Sequence, residues 1–133
     1  QVVLDFTVPR SSGFATREYQ PAATNPLASV TAATVGTTVR LLFDTTELLG
    51  ADPVVTTPAG SGLTWTKDAA ASGPASYAYD ATLSAPPATQ GIVSASAVLT
   101  DLVGNVRTEV FGALREQIKL DTVAPAVPVT TAS

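Results

Sequence analysis

Short runs in which apolar and polar residues alternate, each cut off by glycine or proline, most constrain how this 133-residue chain can fold. A side-chain period of two is the mark of a strand with one face buried. From Thr38 the alternation places Val39, Leu41 and Phe43 on one face and Arg40 and Asp44 on the other. Residues 76–83 set Tyr77, Tyr79, Ala81 and Leu83 against Ala78, Asp80 and Thr82. Residues 91–101 turn Val93, Ala95, Ala97 and Leu99 inward and Ser94 and Ser96 outward. Ala95 and Ala97 are small, which leaves room for a large neighbour such as Trp65. Weaker strand signals lie at 27–32, 52–58, 106–111 and 115–121. Ten prolines and nine glycines break most helices, and the expected fold class is all-β. A single helical turn is expected over 45–50, with threonine as cap and glycine as stop.

The first residues read differently. Val2, Leu4, Phe6 and Val8 alternate onto one face, and 10–26 then reads as a long polar loop. The opening "VVLDFTVP" and the later "IKLDTVAP" look like one element met twice, with Asp5 and Asp121 in equivalent places. That pairing fits one unit of a tandem array together with the joint to its neighbour. The expected boundaries are an N-terminal strand and loop extension over 1–26, a sandwich over 27–124 and a linker over 125–133. With no methionine, the chain is expected to be processed or a piece cut from something longer.

Composition narrows the chemistry. Hydrophobic residues make up 45% and charged residues 14%, a balance that supports a packed core rather than a solvated tail. The formal charge of −4 and the scatter of only seven basic residues argue against nucleic acid and against an anionic membrane. No apolar run nears the roughly 18 residues that span a bilayer, so direct membrane insertion is not expected. With no cysteine and no histidine, disulfides, thiolate chemistry and Ser–His nucleophilic pairs are excluded. A Ser–Lys arrangement would need Lys67 or Lys119, and neither sits in a recognisable motif. The acidic residues fall mostly at strand ends and on exposed faces. The chain is therefore expected not to be an enzyme.

Calcium is the one metal the composition leaves open, because hard cations take oxygen ligands alone. Asp101 and Asn105 flank a glycine turn in "DLVGN", and Asp121 ends the last strand. If the strands ending at Asp101 and Asp121 lie side by side, the three residues converge at one pole. The alternative is purely local, since Asp and Asn side chains favour turns by bonding the nearby backbone. Trp65, Tyr77 and Tyr79 could stack on a sugar, or could serve as core. Phe14 and Tyr19 stand in the polar N-terminal loop and are candidate partner-binding residues.

The order of pieces also resembles a known family. Gly36 to Val39, Pro53 to Thr56, Tyr77 to Tyr79, Asp101 to Asn105 and Asp121 to Pro125 follow the pattern of the bacterial immunoglobulin-like (Big-type) repeats of large surface and secreted proteins. The resemblance covers about residues 27 to 125. It implies a two-sheet antiparallel immunoglobulin-like sandwich of about seven strands, outside a bacterial cell, acting as spacer or adhesion module. Its partners would be neighbouring domains of the same polypeptide, or a host or cell-surface protein or glycan. In some adhesins of this kind, aspartates of the Asp-x-x-Gly-Asn turn and of the joint hold calcium, which here would be Asp101, Asn105 and Asp121. The N-terminal extension and the long last segment depart from the family pattern. Two other readings stay open: a carbohydrate-binding module of a secreted hydrolase, and a subunit that exchanges a strand with another chain.

Overall fold

The computed structural model describes residues 4–18, 33–111 and 118–122. It is all-β, with no helix among those residues. Nine strands follow in chain order: β1 (Ser11–Glu18), β2 (Thr38–Thr45), β3 (Val54–Thr56), β4 (Thr66–Lys67), β5 (Ser76–Thr82), β6 (Gly91–Val93), β7 (Ala95–Thr100), β8 (Val106–Phe111) and β9 (Ile118–Leu120). They form a four-stranded sheet in the order β1-β2-β5-β4, a three-stranded sheet β3-β7-β8 and a pair β6-β9. Every named pairing is antiparallel.

The alternation in the sequence decides which faces meet. Val39, Leu41 and Phe43 of β2 and Tyr77, Tyr79 and Ala81 of β5 turn to the same side, where all are buried. Ala95, Ala97 and Leu99 of β7 and Phe111 of β8 join them in one apolar cluster. Phe43 is its centre. Its ring stacks on Tyr77 and Tyr79 of its own sheet, at 5.5 and 6.1 Å between centroids, and meets Phe111 of the other sheet at 5.2 Å. The Tyr79 hydroxyl donates to the carbonyl of Pro53, just before β3, and so ties the two sheets together. Burial pushes that phenol up to about 12. Ile118 and Leu120 of β9 are fully buried and close the core at one end.

Four expectations change. The alternating run over residues 91–100 is not one strand: it breaks at Ser94, so that β6 pairs with β9 while β7 pairs with β3 and β8. The helical turn over 45–50 is absent; Thr45 Oγ1 instead donates to the carbonyl of Glu47, which fixes a bend. At the N-terminus the strand is displaced. Residues 4–10 carry no strand, with Leu4 and Phe6 exposed, while Ser11–Glu18, expected as loop, pairs with β2 across a one-residue bulge between Ser12 and Ala15. A polar, glycine-bearing segment can do this because an edge strand needs backbone pairing more than it needs apolar side chains. The segments 19–32, 112–117 and 123–133, and with them the expected strand at 27–32 and the linker, lie outside the described residues.

Arg40 is the fourth. It occupies an outward position of β2, yet only 7% of it is exposed. Its Nε donates to Asp80 Oδ1 at 2.7 Å and one terminal nitrogen donates to Asp80 Oδ2 at 2.8 Å and to Asp68 Oδ2. Asp80 stands opposite Arg40 in the β2–β5 register. Asp68 belongs to a loop folded over the sheet, where its other oxygen accepts from the backbone N–H groups of Ala70 and Ala71. The hydrogen bonds to Asp80 raise the Arg40 pKa despite the opposing effect of burial. Arg40→Met keeps the apolar stem but leaves two carboxylates facing each other. Both keep some contact with water, at 27% and 22% side-chain exposure, which holds the expected cost to about 2–3 kcal/mol. Urea unfolding at neutral pH reads it, and a loss under roughly 0.5 kcal/mol would contradict a stabilising role.

Candidate functional site

Asp101 ends β7 and opens the turn into β8. The sequence Asp-Leu-Val-Gly-Asn makes that turn through its first and last members. The Asp101 N–H donates to the Asn105 carbonyl at 3.0 Å, and the Gly104 N–H donates to the Asp101 carbonyl at 3.3 Å. Gly104 has φ +94°, a left-handed conformation that a residue with a Cβ resists. The Asp101 side chain fills the inside of the turn. Its Oδ1 accepts from the backbone N–H groups of Val103 and Asn105 at 2.9 and 2.8 Å, and its Oδ2 accepts from Asn105 Nδ2 at 2.8 Å. Asp101 is 3% exposed. Burial alone would push its carboxyl up. The hydrogen bonds from Asn105, Val103 and Gly104 outweigh that, and the group lies below the usual range.

Asn105 works from the other side. The same Nδ2 donates to the carbonyls of Asp5 and Thr7, at 3.0 and 3.1 Å. One amide thus holds the segment that precedes β1 against the β7–β8 turn. Farther along, the Ser11 N–H points at Glu109 Oε1 of β8 at 3.4 Å. Residues 5–11 consequently run beside 105–109 in the same direction. The bend after β2 reaches the same pole. Leu49 bridges Asp101, the Gly50 N–H donates to the Thr100 carbonyl, and a Cβ at Gly50 would lie 2.6 Å from the Asp101 carbonyl oxygen. Only glycine allows that approach.

These contacts gather three carboxylates that the sequence keeps far apart. Asp5, Glu47 and Asp101 each present an oxygen, all within 4.8 Å of one another. Desolvation pushes the Glu47 carboxyl up, and the charges of Asp101 and Asp5 push it the same way. Asp5 Oδ1 accepts from the Thr7 N–H, whereas none of the ion pairs among the described residues reaches the trio. The trio could hold a cation. Calcium takes six to eight oxygens, and three carboxylates on three separate segments supply about half of that.

Of the expected metal ligands, Asp101 and Asn105 do lie together, but Asn105 presents its amide nitrogen to the cluster. Asp121 lies elsewhere. It follows Leu120, which pairs with Gly91 at the start of β6, and its N–H donates to the Ala33 carbonyl. Asp121 therefore stands beside the start of β6 and Ala33, outside the group formed by Asp5, Glu47 and Asp101. Sequence reasoning missed Glu47, which sits in no motif, and the approach of Asp5, whose likeness to Asp121 says nothing of where it folds; only the folded chain brings them to Asp101. Phe14 falls within β1 and Tyr19 lies outside the described residues.

A second concavity, of about 840 Å³, opens over the Arg40 ion pairs between Thr64, Thr66, Asp68, Asp80 and Thr82. No aromatic side chain lines it among the described residues. Trp65 packs against the core, with its Nε1 donating to Thr57 Oγ1 at 3.3 Å, and Tyr77 and Tyr79 are buried. These three rings are therefore core rather than a stacking platform.

The titration of these groups has a definite sign. Hydrogen bonding to Arg40 lowers the Asp68 carboxyl, and Asp101 is lowered as well, both from an ordinary value of 3.8. A depressed folded value gives stability that is complete above the unfolded value and lost as pH falls through the folded one. Glu47 is raised and works the other way: ionising it opposes folding, and mild acid relieves that. The thermal midpoint is expected to hold or rise slightly from pH 7 to about 5 and to fall steeply below about 4. A midpoint that declines steadily from neutrality would contradict this.

Compared with known proteins, the chain matches no protein-family model, no curated protein and no solved structure.

Proposed function

We propose that the chain is an immunoglobulin-like module of a bacterial surface or secreted protein, non-catalytic, and serving as a spacer or adhesion domain. One observation carries this reading. The sheets β1-β2-β5-β4 and β3-β7-β8 follow the A-B-E-D and C-F-G orders of an immunoglobulin constant-type sandwich, with β1 as A and β8 as G. The pair β6-β9 adds to that plan. In such sandwiches the loops cluster at the two ends, and binding is placed there. The β2–β3 and β7–β8 connections, together with residues 4–7, make one such end, where Asp5, Glu47 and Asp101 meet.

Proteins of this kind act outside the cell. An antibody raised against the purified chain is expected to label intact, unpermeabilised bacteria that produce the protein, or to find it in the medium. Labelling that appears only after the cells are opened would sink the reading.

A further inference from the structure

The residues that the strand register sets on the outer face of β3-β7-β8 include no charge. They stand in three rows across the strands. Thr56, Ser96 and Val110 make the first row, Val54, Val98 and Thr108 the second, and Thr100 and Val106 the third. Side chains alternate along a strand and partners across a ladder share a side, so these all point away from Ala97, Leu99 and Phe111 in the core. Val54, Val106 and Val110 are 58%, 56% and 67% exposed, and Thr56 and Thr108 are exposed as well. An antiparallel sheet with one face in water ordinarily turns polar residues outward. The sheet β1-β2-β5-β4 does so, with Arg40, Asp44 and Asp80 on its outer side. On β3-β7-β8 half of the outward positions are valine.

We infer that this face pairs with the same face of a second copy, about a two-fold axis that crosses the strands at the Val54–Val98–Thr108 row. Such an axis lays each strand antiparallel over its own counterpart and exchanges the first row with the third. Val54 then meets Val54, Val98 meets Val98 and Val110 meets Val106, while Ser96 meets Thr100 and Thr108 meets Thr108. Apolar falls on apolar and hydroxyl on hydroxyl, which is the self-complementarity that an isologous contact requires. Charge selects the same occupant. Two copies of a chain with a formal charge of −4 repel each other, and an uncharged face lets them meet without setting like charges together. Asp52, two residues before Val54, is already paired with Lys67. Strands about 4.8 Å apart with a rise of about 3.4 Å per residue make the face roughly 15 by 17 Å. Two such faces bury less than the roughly 1,200 Å² of a stable interface, so the pairing is weak and half formed at about 0.1–1 mM. Nothing in it depends on where the protein acts, so it stands or falls apart from the surface-module reading.

Sedimentation equilibrium of the purified chain, from about 10 µM to about 1 mM, tests the pairing. The average mass should start at that of the monomer and rise toward twice that value. Thr108 is exposed and meets its own counterpart on the axis, so Thr108→Glu and Thr108→Lys each set two like charges face to face. Each variant alone should associate at least about tenfold more weakly than the wild type. An equal mixture of the two should recover association, because opposite charges then meet on the axis. Thr82→Glu, at an exposed position of the other sheet, should associate as the wild type does. Melting at the lowest concentration checks that each variant is folded, and the wild-type series decides alone where one is not. A wild type that stays monomeric throughout, Thr108 variants that associate as it does, a mixture no stronger than its parts, or an equal loss in Thr82→Glu would each overturn the inference.

Discussion

Phe43→Ala is expected to destabilise the fold by about 3–5 kcal/mol, the range for removing a buried aromatic ring. The ring is 1% exposed and touches three others, two in its own sheet and Phe111 in the facing one. Its loss removes apolar burial and opens a cavity between two sheets whose hydrogen-bonded backbones cannot collapse toward each other. The ring pairings themselves add to the loss. In a chain of this size the midpoint should drop by more than about 10 °C. Phe43→Leu keeps much of the volume and should cost roughly a third to a half as much. Thermal and urea unfolding followed by tyrosine circular dichroism read both. Equal, small effects would place the contact between the sheets elsewhere.

Asp101→Ala is expected to have the second largest effect, a fall in midpoint on the order of 10 °C. The substitution removes the acceptor for two backbone N–H groups and for the Asn105 amide. The turn then loses the side chain it is wrapped around, and Asn105 loses the contact that orients it toward the Asp5 and Thr7 carbonyls. Asn105→Ala should cost less. It releases the segment before β1 but leaves both backbone bonds to Asp101 Oδ1 in place, since the Val103 and Asn105 N–H groups survive the change. Amide exchange should show the difference: residues 5–7 open in both variants, while 103–105 open fully only when Asp101 is gone. The reverse order would mean that the turn does not depend on the carboxylate.

The core was legible because period-two alternation reports burial directly, and Val39, Leu41, Phe43, Tyr77, Tyr79, Ala95, Ala97 and Leu99 all face inward as it requires. Where the alternation misled, a second interaction had taken over. Leu4 and Phe6 alternate like strand residues, yet the chain there is held by the Asn105 side chain rather than by a backbone ladder. Ser11–Glu18 lacks an apolar pattern and still forms an edge strand, since pairing with β2 satisfies its backbone. Arg40 looked like a solvated outward charge, and a loop 28 residues downstream covers it through Asp68. The candidate site was half legible. "DLVGN" announces a turn in which Asp and Asn act on each other, but the approach of Glu47 and Asp5 is a long-range consequence of topology. No local pattern carries it, and β9 places Asp121 beside the start of β6 instead.

What the aspartate at the end of β7 does is the point on which the functional reading turns: its carboxylate accepts the hydrogen bonds that lock the turn into β8. The most direct measurement is the melting midpoint of the wild type and of Asp101→Ala, each in excess EDTA and in millimolar calcium. The expected result is a large gap between the two proteins that is the same in both conditions, with Asp121→Asn indistinguishable from the wild type throughout. A gap that closes in EDTA and opens with calcium would contradict it, because a ligand bound by the native state alone raises stability in proportion to RT ln(1 + [L]/Kd). Asp101 would then be a metal ligand first and a turn residue second.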